Sequence, residues 1–143
     1  MTRSAALARL VDYWQTLTPA TVDAIAMVYA DDAYFRDPFN EVKGIEKVRH
    51  IFSDMFVRLE EPRFNIIETI EEPHGALLIW DFTFRIKALK PELTRRIHGT
   101  SHIRFVADGR VQYHRDYWDA AGELYEQLPV VGSLMRWLKK RAG

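Results

Sequence analysis

An α+β domain, with N-terminal helices packed on one face of a curved antiparallel sheet, is the fold class this sequence predicts. Three observations carry it. Apolar residues recur at three and four along the early part of the chain, the period changes to two from Arg63 onward, and consecutive strands agree on which of their sides is apolar.

Taken in order, Leu7, Leu10, Val11, Trp14 and Leu17 form the stripe of a first helix from Ala5 to Leu17, which Thr18-Pro19 breaks. With Thr21 as cap, Val22, Ile25, Ala26, Val28 and Tyr29 predict a second helix that stops near Asp31-Asp32. After the segment Tyr34 to Phe39, Gly44 precedes the third and longest helix, with Ile45, Val48, Ile51, Phe52, Met55, Phe56 and Leu59 on one face. "RFNIIETIEE", "ALLIWDFTFRIKAL", "RRIHGTSHIRFVADGR" and "RVQYHRDYWD" then read as four strands, the last two joined at Asp108-Gly109. "AAGELYEQLPVVGSLMRWLKKRAG" returns to helical spacing, interrupted at Leu128-Pro129 and Gly132.

The strands also predict their faces. Leu78, Trp80, Phe82, Phe84 and Ile86 point one way, and Ile79, Asp81, Thr83, Arg85 and Lys87 the other. Ile97, Gly99, Ser101, Ile103 and Phe105 likewise oppose His98, Thr100, His102 and Arg104. The last strand departs from this, because Gln112, His114, Asp116 and Trp118 alternate with Val111, Tyr113, Arg115 and Tyr117, so polar groups occupy both sides. Either Asp116 is a structural acid paired with an arginine such as Arg36, or it projects into a cavity with His114 and Trp118.

At 143 residues the chain fits one domain, residues 1–143, with a C-terminal amphipathic helix at about 129–141. Twenty basic and twenty acidic residues balance to a formal net charge of zero, which gives no reason to expect nucleic acid as a partner. The absence of cysteine excludes disulfides and a thiol nucleophile and suits the cytoplasm. Arg9 and Asp12 interrupt the N-terminal apolar run, which is read as a helix of the mature protein, and no stretch reads as a membrane span. His98 and His102, four apart on a strand, lie roughly 13 Å from one another, too far for one metal ion. No metal is expected from this pair.

The stretch "YFRDPFN" sets Asp37 directly before Pro38, where a strand ends or bends, and an ordinary turn acid is one reading of it. The order of elements, "YADDAYFRDP" followed by a glycine and a long helix, the "ADGRV" hairpin and the closing "HRDYWD" resemble the nuclear transport factor two-like superfamily. That group includes ketosteroid isomerases, SnoaL-like polyketide cyclases and limonene epoxide hydrolase. The resemblance implies a cone of curved sheet, an α+β roll like that of cystatin, closed by helices around an apolar pocket. It also implies a small apolar ligand and a homodimer paired through the outer sheet face.

Residue by residue, the general base of ketosteroid isomerases corresponds to Asp37 and their tyrosine oxyanion donor to Tyr13. Their third group, a neutral aspartic acid, is replaced by Ser101, a weaker and shorter donor. The first aspartate of a segment in limonene epoxide hydrolase similar to "RDYWD" corresponds to Asp116, but Ile79 stands where its triad needs an arginine, so that triad is not reproduced. The resemblance thus implies a cofactor-free isomerase, cyclase or lyase, with Asp37, Tyr13, Asp116 and His114 as catalytic candidates. Trp14, Trp80, Phe82, Phe84, Ser101 and Trp118 are the candidate ligand contacts. A non-catalytic ligand- or protein-binding domain is the alternative, since this fold does not fix function. For the segment "LPVVGSLMRWLKKRAG", the two readings are a helix whose apolar side packs on the domain, and a weak anchor to a membrane surface.

Overall fold

The side chain of Ser4 accepts the Leu7 N–H at 3.1 Å and starts the first helix, α1 (Ala5–Gln15), which buries Leu7, Leu10, Val11, Tyr13 and Trp14. The structure, a computed structural model, describes residues 4–123 and 129–142. Helix α1 stops short of the expected Leu17. The Thr16 hydroxyl donates to the Asp12 carbonyl at 2.6 Å, and Thr21 Oγ1 accepts the Thr18 N–H at 2.8 Å, drawing the chain into a turn.

The expected second helix is corrected. Val22–Met27 forms a short 3-10 helix, and Tyr29–Arg36 is a strand, β1, with Asp31 and Asp32 exposed within it. Its cause is long-range: Val111 N–H donates to the Val28 carbonyl at 2.8 Å, and β1 runs parallel to the last strand, pairing Tyr29 with Val111 and Phe35 with His114. Local helical spacing loses to that ladder. Strand β1 ends at Arg36, immediately before Asp37-Pro38, and a short strand, β2 (Glu41–Lys43), folds back on it. Helix α2 (Ile45–Arg58) follows Gly44, whose φ of 106° lies in the region that favours glycine, and buries Val48 and Phe52.

Four long strands complete a curved, unclosed sheet: β3 (Leu59–Glu72), β4 (Gly75–Ile86), β5 (Arg95–Phe105) and β6 (Val111–Trp118), in the order β2-β1-β6-β5-β4-β3. The α+β class stands, with the helices against one face. Leu78, Trp80, Phe82, Phe84, Ile97, Gly99, Ser101 and Ile103 are all buried, as the alternation predicts. In β6 the alternation is reset by a bulge: Phe105 pairs with Val111 and Arg104 with Tyr113, leaving Gln112 as the extra residue. Val111 and His114, of opposite parity, therefore both reach the interior, while Gln112 turns outward to Asp32 at 3.1 Å.

After β6 come α3 (Ala120–Glu123) and α4 (Pro129–Ala142), which touch each other. Of the helix expected over "GELYEQL", residues 124–128 lie outside the described residues. Gly132 does not interrupt the terminal helix; it lies inside α4. Among the described residues no helix is long and apolar enough to cross a membrane.

Candidate acid-base site

Two indole rings mark the ends of a buried polar chain. Trp14, on the inner face of α1, donates its Nε1–H to the Tyr29 oxygen at 3.1 Å, and the Tyr29 hydroxyl lies 2.8 Å from His114 Nδ1. His114 Nε2 is 2.6 Å from Asp116 Oδ1, which also accepts the Ser101 hydroxyl. Ser101 in turn accepts the Trp80 Nε1–H at 2.9 Å.

Donor and acceptor capacities orient the chain. Indoles only donate, so Tyr29 and Ser101 each receive a hydrogen from a tryptophan and each pass their own hydrogen inward. Tyr29 therefore donates to His114 Nδ1, and the ring hydrogen sits on Nε2, aimed at Asp116. Burial pushes the Tyr29 phenol well above its usual pKa, against a smaller lowering by the Trp14 bond, so Tyr29 stays a protonated donor. Rings of Trp14 and Phe35 pack on the imidazole with centroids at 5.0 and 4.7 Å, and His114 is 3% exposed.

Both hydrogen bonds to Asp116 go to Oδ1. Its Oδ2 has no hydrogen-bond partner among the described residues, and the side chain is 15% exposed. The exposed part opens on a cleft of about 560 Å³ lined by Arg36, Asp37, Pro38, Arg115, Trp118 and Asp119, among others. The arrangement is that of a positioned acid or base. One carboxylate oxygen is held by His114 and Ser101, and the residue itself borders a space that a small molecule can enter.

The sequence candidates divide accordingly. Asp116, His114 and Ser101 come together, with Trp80 behind them, and Trp118 lines the same cleft with its ring 5.6 Å from that of Phe39. Within the chain Asp116 is paired with His114 and Ser101 and not with Arg36. Asp37 lines the cleft too, but its Oδ1 accepts the N–H groups of Phe39 and Asn40 at 2.8 and 2.7 Å, the geometry of a turn acid. Tyr13 donates toward the Thr21 and Val22 carbonyls, both at 3.1 Å, and lines neither this cleft nor one of about 640 Å³ bordered by Trp14 and Arg63. Burial pushes its phenol up to about 12, with Arg49 opposing.

Trp80, Phe82 and Phe84 belong to the packed core, where Phe82 stacks on Phe64 and Phe84 at 4.4 and 5.0 Å. Gly99 makes room for this packing: a Cβ there would meet the Trp80 ring at 2.5 Å, so glycine lets the indole lie over β5 and reach Ser101. Tyr29 is the member of the site that sequence reasoning missed. The available signal was a tyrosine in an apolar stripe, whose buried hydroxyl requires a partner. Among the described residues no group of three or more histidine, aspartate or glutamate side chains is placed to hold a metal ion.

Residues 10–114 match the SnoaL-like domain family. Among curated proteins none matches the chain. Solved structures share its fold. A protein of ketosteroid isomerase-like fold from Catenulispora acidiphila, determined in complex with trimethylamine, is 14% identical with a TM-score of 0.72, covering 86% of this chain and 92% of its own. A protein described as a SnoaL-like polyketide cyclase from Shewanella putrefaciens is 18% identical with a TM-score of 0.70, over 86% of this chain and 98% of its own. An epoxide hydrolase of M. tuberculosis, similar to limonene epoxide hydrolase, is 18% identical with a TM-score of 0.68, over 82% and 85%.

Proposed function

The chain belongs to the SnoaL-like domain family, and on that premise we propose that it binds a small, mainly apolar carbonyl compound over Asp116 and moves a proton on it, as a cofactor-independent isomerase, cyclase or lyase. The observation that carries this reading is that Asp116 borders a cleft while Oδ1 is held by His114 and Ser101 and Oδ2 has no partner among the described residues. In the step proposed, the carboxylate takes the proton α to the carbonyl and the C–H pair moves into an enolate; the proton then returns to another carbon, or the enolate carbon attacks a second carbonyl of the substrate, whose C=O π pair moves to oxygen and takes the proton back from Asp116. Arg36 and Arg115, which border the cleft, are the cationic groups available to the developing oxyanion. Asp37 shapes the rim. A homodimer paired through the outer sheet face, where exposed Ile70 and Leu77 are cross-strand partners, belongs to the same proposal, as does a cytoplasmic location.

Proton-deuterium exchange in D2O tests the chemistry, followed by NMR on small apolar ketones and on any ligand that mass spectrometry finds with the purified protein. The wild type accelerates exchange of at least one compound, and Asp116→Asn lowers the rate by about a hundredfold or more. A bound ligand whose α-protons do not exchange overturns the acid-base reading. It leaves a non-catalytic binding domain, the reading favoured by one observation, that Trp80, Phe82 and Phe84 fill the interior.

A further inference from the structure

Helix α4 carries Arg136, Lys139, Lys140 and Arg141 with no acid between Pro129 and Ala142, in a chain whose formal net charge is zero. Its positive charge is thus a local feature. Packing on the domain leaves three of its described apolar side chains open: Leu134, Trp137 and Leu138 are 52%, 54% and 44% exposed. They stand at i, i+3 and i+4 and share one side of the helix. The Arg141 guanidinium lies 5.4 Å over the Trp137 ring, at the border between that side and the basic one. Basic residues at a helix C-terminus complement its dipole, which accounts for their position in the last turn but not for the open apolar stripe beside them.

We propose that α4 is a docking surface for an anionic lipid bilayer. The helix lies in the plane of the interface, Leu134, Trp137 and Leu138 enter the boundary between headgroups and acyl chains, and Arg136, Lys139, Lys140 and Arg141 face lipid phosphates. Tryptophan is suited to that depth by its apolar ring and polar N–H. Fourteen residues make a segment about 21 Å long, enough to lie on the surface and too short to cross it. Each basic group near an anionic surface raises the partition roughly fivefold, so lipid charge decides whether binding occurs. The anionic surface is committed to here because the apolar stripe is flanked by cations, whereas a second copy of α4 would bring like charges together.

Co-sedimentation of the whole chain with vesicles tests the proposal, comparing phosphatidylcholine alone with phosphatidylcholine mixed with phosphatidylglycerol, at low and at physiological salt. Binding is expected to be at least about tenfold stronger on the mixed vesicles and to weaken with salt. Lys140→Glu and Leu134→Ser/Trp137→Ser each lower it at least about tenfold, and circular dichroism of each variant checks that its helix content matches the wild type. Three results would overturn the idea: no sedimentation with the mixed vesicles, equal binding to both vesicle types, or variants that bind like the wild type. A dimer that forms without lipid and dissociates in Leu134→Ser/Trp137→Ser would instead assign the stripe to a second copy, and would equally reject it.

Discussion

Two histidine-aspartate pairs lie on opposite faces of the same sheet. On the outer face His98 Nδ1 meets Asp81 Oδ1 at 2.8 Å, with Arg96 at 3.5 Å from the other carboxylate oxygen. On the inner face His114 Nε2 meets Asp116 Oδ1 at 2.6 Å. The residue types match, yet the surroundings do not. The His98 side chain is 55% exposed and the His114 side chain 4%, although the two carboxylates are similarly covered, at 19% and 15%. The inner pair is braced from both ends by Tyr29 and Ser101, and its carboxylate, with no partner to Oδ2 among the described residues, belongs to a residue that borders a cleft. What separates a surface ion pair from a candidate acid-base pair is therefore the bracing, which fixes the tautomer and excludes water from one side.

Removing each acid is the strongest way to break that comparison. Asp116→Leu leaves the His114 N–H and the Ser101 hydroxyl without their acceptor, at a cost of about 2–5 kcal/mol, whereas Asp81→Leu costs under about 1 kcal/mol. Urea unfolding of both variants reads the difference, and equal costs would mean that burial does not distinguish the pairs. Tyr29→Phe comes next. It removes the donor to Nδ1 and should cost about 1–3 kcal/mol, and 15N NMR should show the His114 Nδ1 resonance shifting as it loses its donor while the hydrogen stays on Nε2, where Asp116 accepts it.

Alkaline pH sharpens the inner side further. The Tyr13 phenol is raised from 10.0 to about 12 in the fold. An unfolded chain therefore releases this proton first, the folded state binds more protons, and stability falls as pH rises between those values. Tyr13→Phe should flatten the decline in melting temperature over that range. The smallest effect belongs to the outer pair. Added salt should weaken the contribution of Asp81 to His98 and Arg96 by a few tenths of a kcal/mol, measured as the stability difference between wild type and Asp81→Asn at two ionic strengths. No salt dependence of that difference would mean that the outer pair contributes nothing measurable.

Strand faces were legible because alternation is local. Trp80 and Ser101 could be placed on the inner side from spacing alone, whereas the spacing of the last strand left His114 and Asp116 open, and the resemblance of "HRDYWD" drew attention to Asp116. Strand β1 was not legible. Val22, Ile25, Val28 and Tyr29 carry helical spacing, and what makes Tyr29–Arg36 extended is pairing with β6, which no window along the chain contains. The same distance hid Tyr29 as the partner of His114. Asp37 shows the opposite case: its turn geometry follows from the adjacent proline and asparagine, while its place on the rim of the cleft depends on β6.

The parallel pairing of β1 with β6 has a consequence for how the molecule comes into being. Tyr29 and His114 are separated by 85 positions, so their bond closes most of the chain into a single loop. The strands β3, β4 and β5 are neighbours in sequence and can pair as soon as they are made, whereas β1 must wait for the last strand. Until then Trp14 and Tyr29 lack the imidazole that completes their polar chain, and the His114 ring behind Asp116 lacks the hydrogen bond at Nδ1 that fixes it. Assembly of the acid and docking of β1 are thus one folding event, the slowest by loop-closure entropy. During refolding, the 15N signature of His114 should appear with the last kinetic phase; its appearance in an early phase would contradict that order.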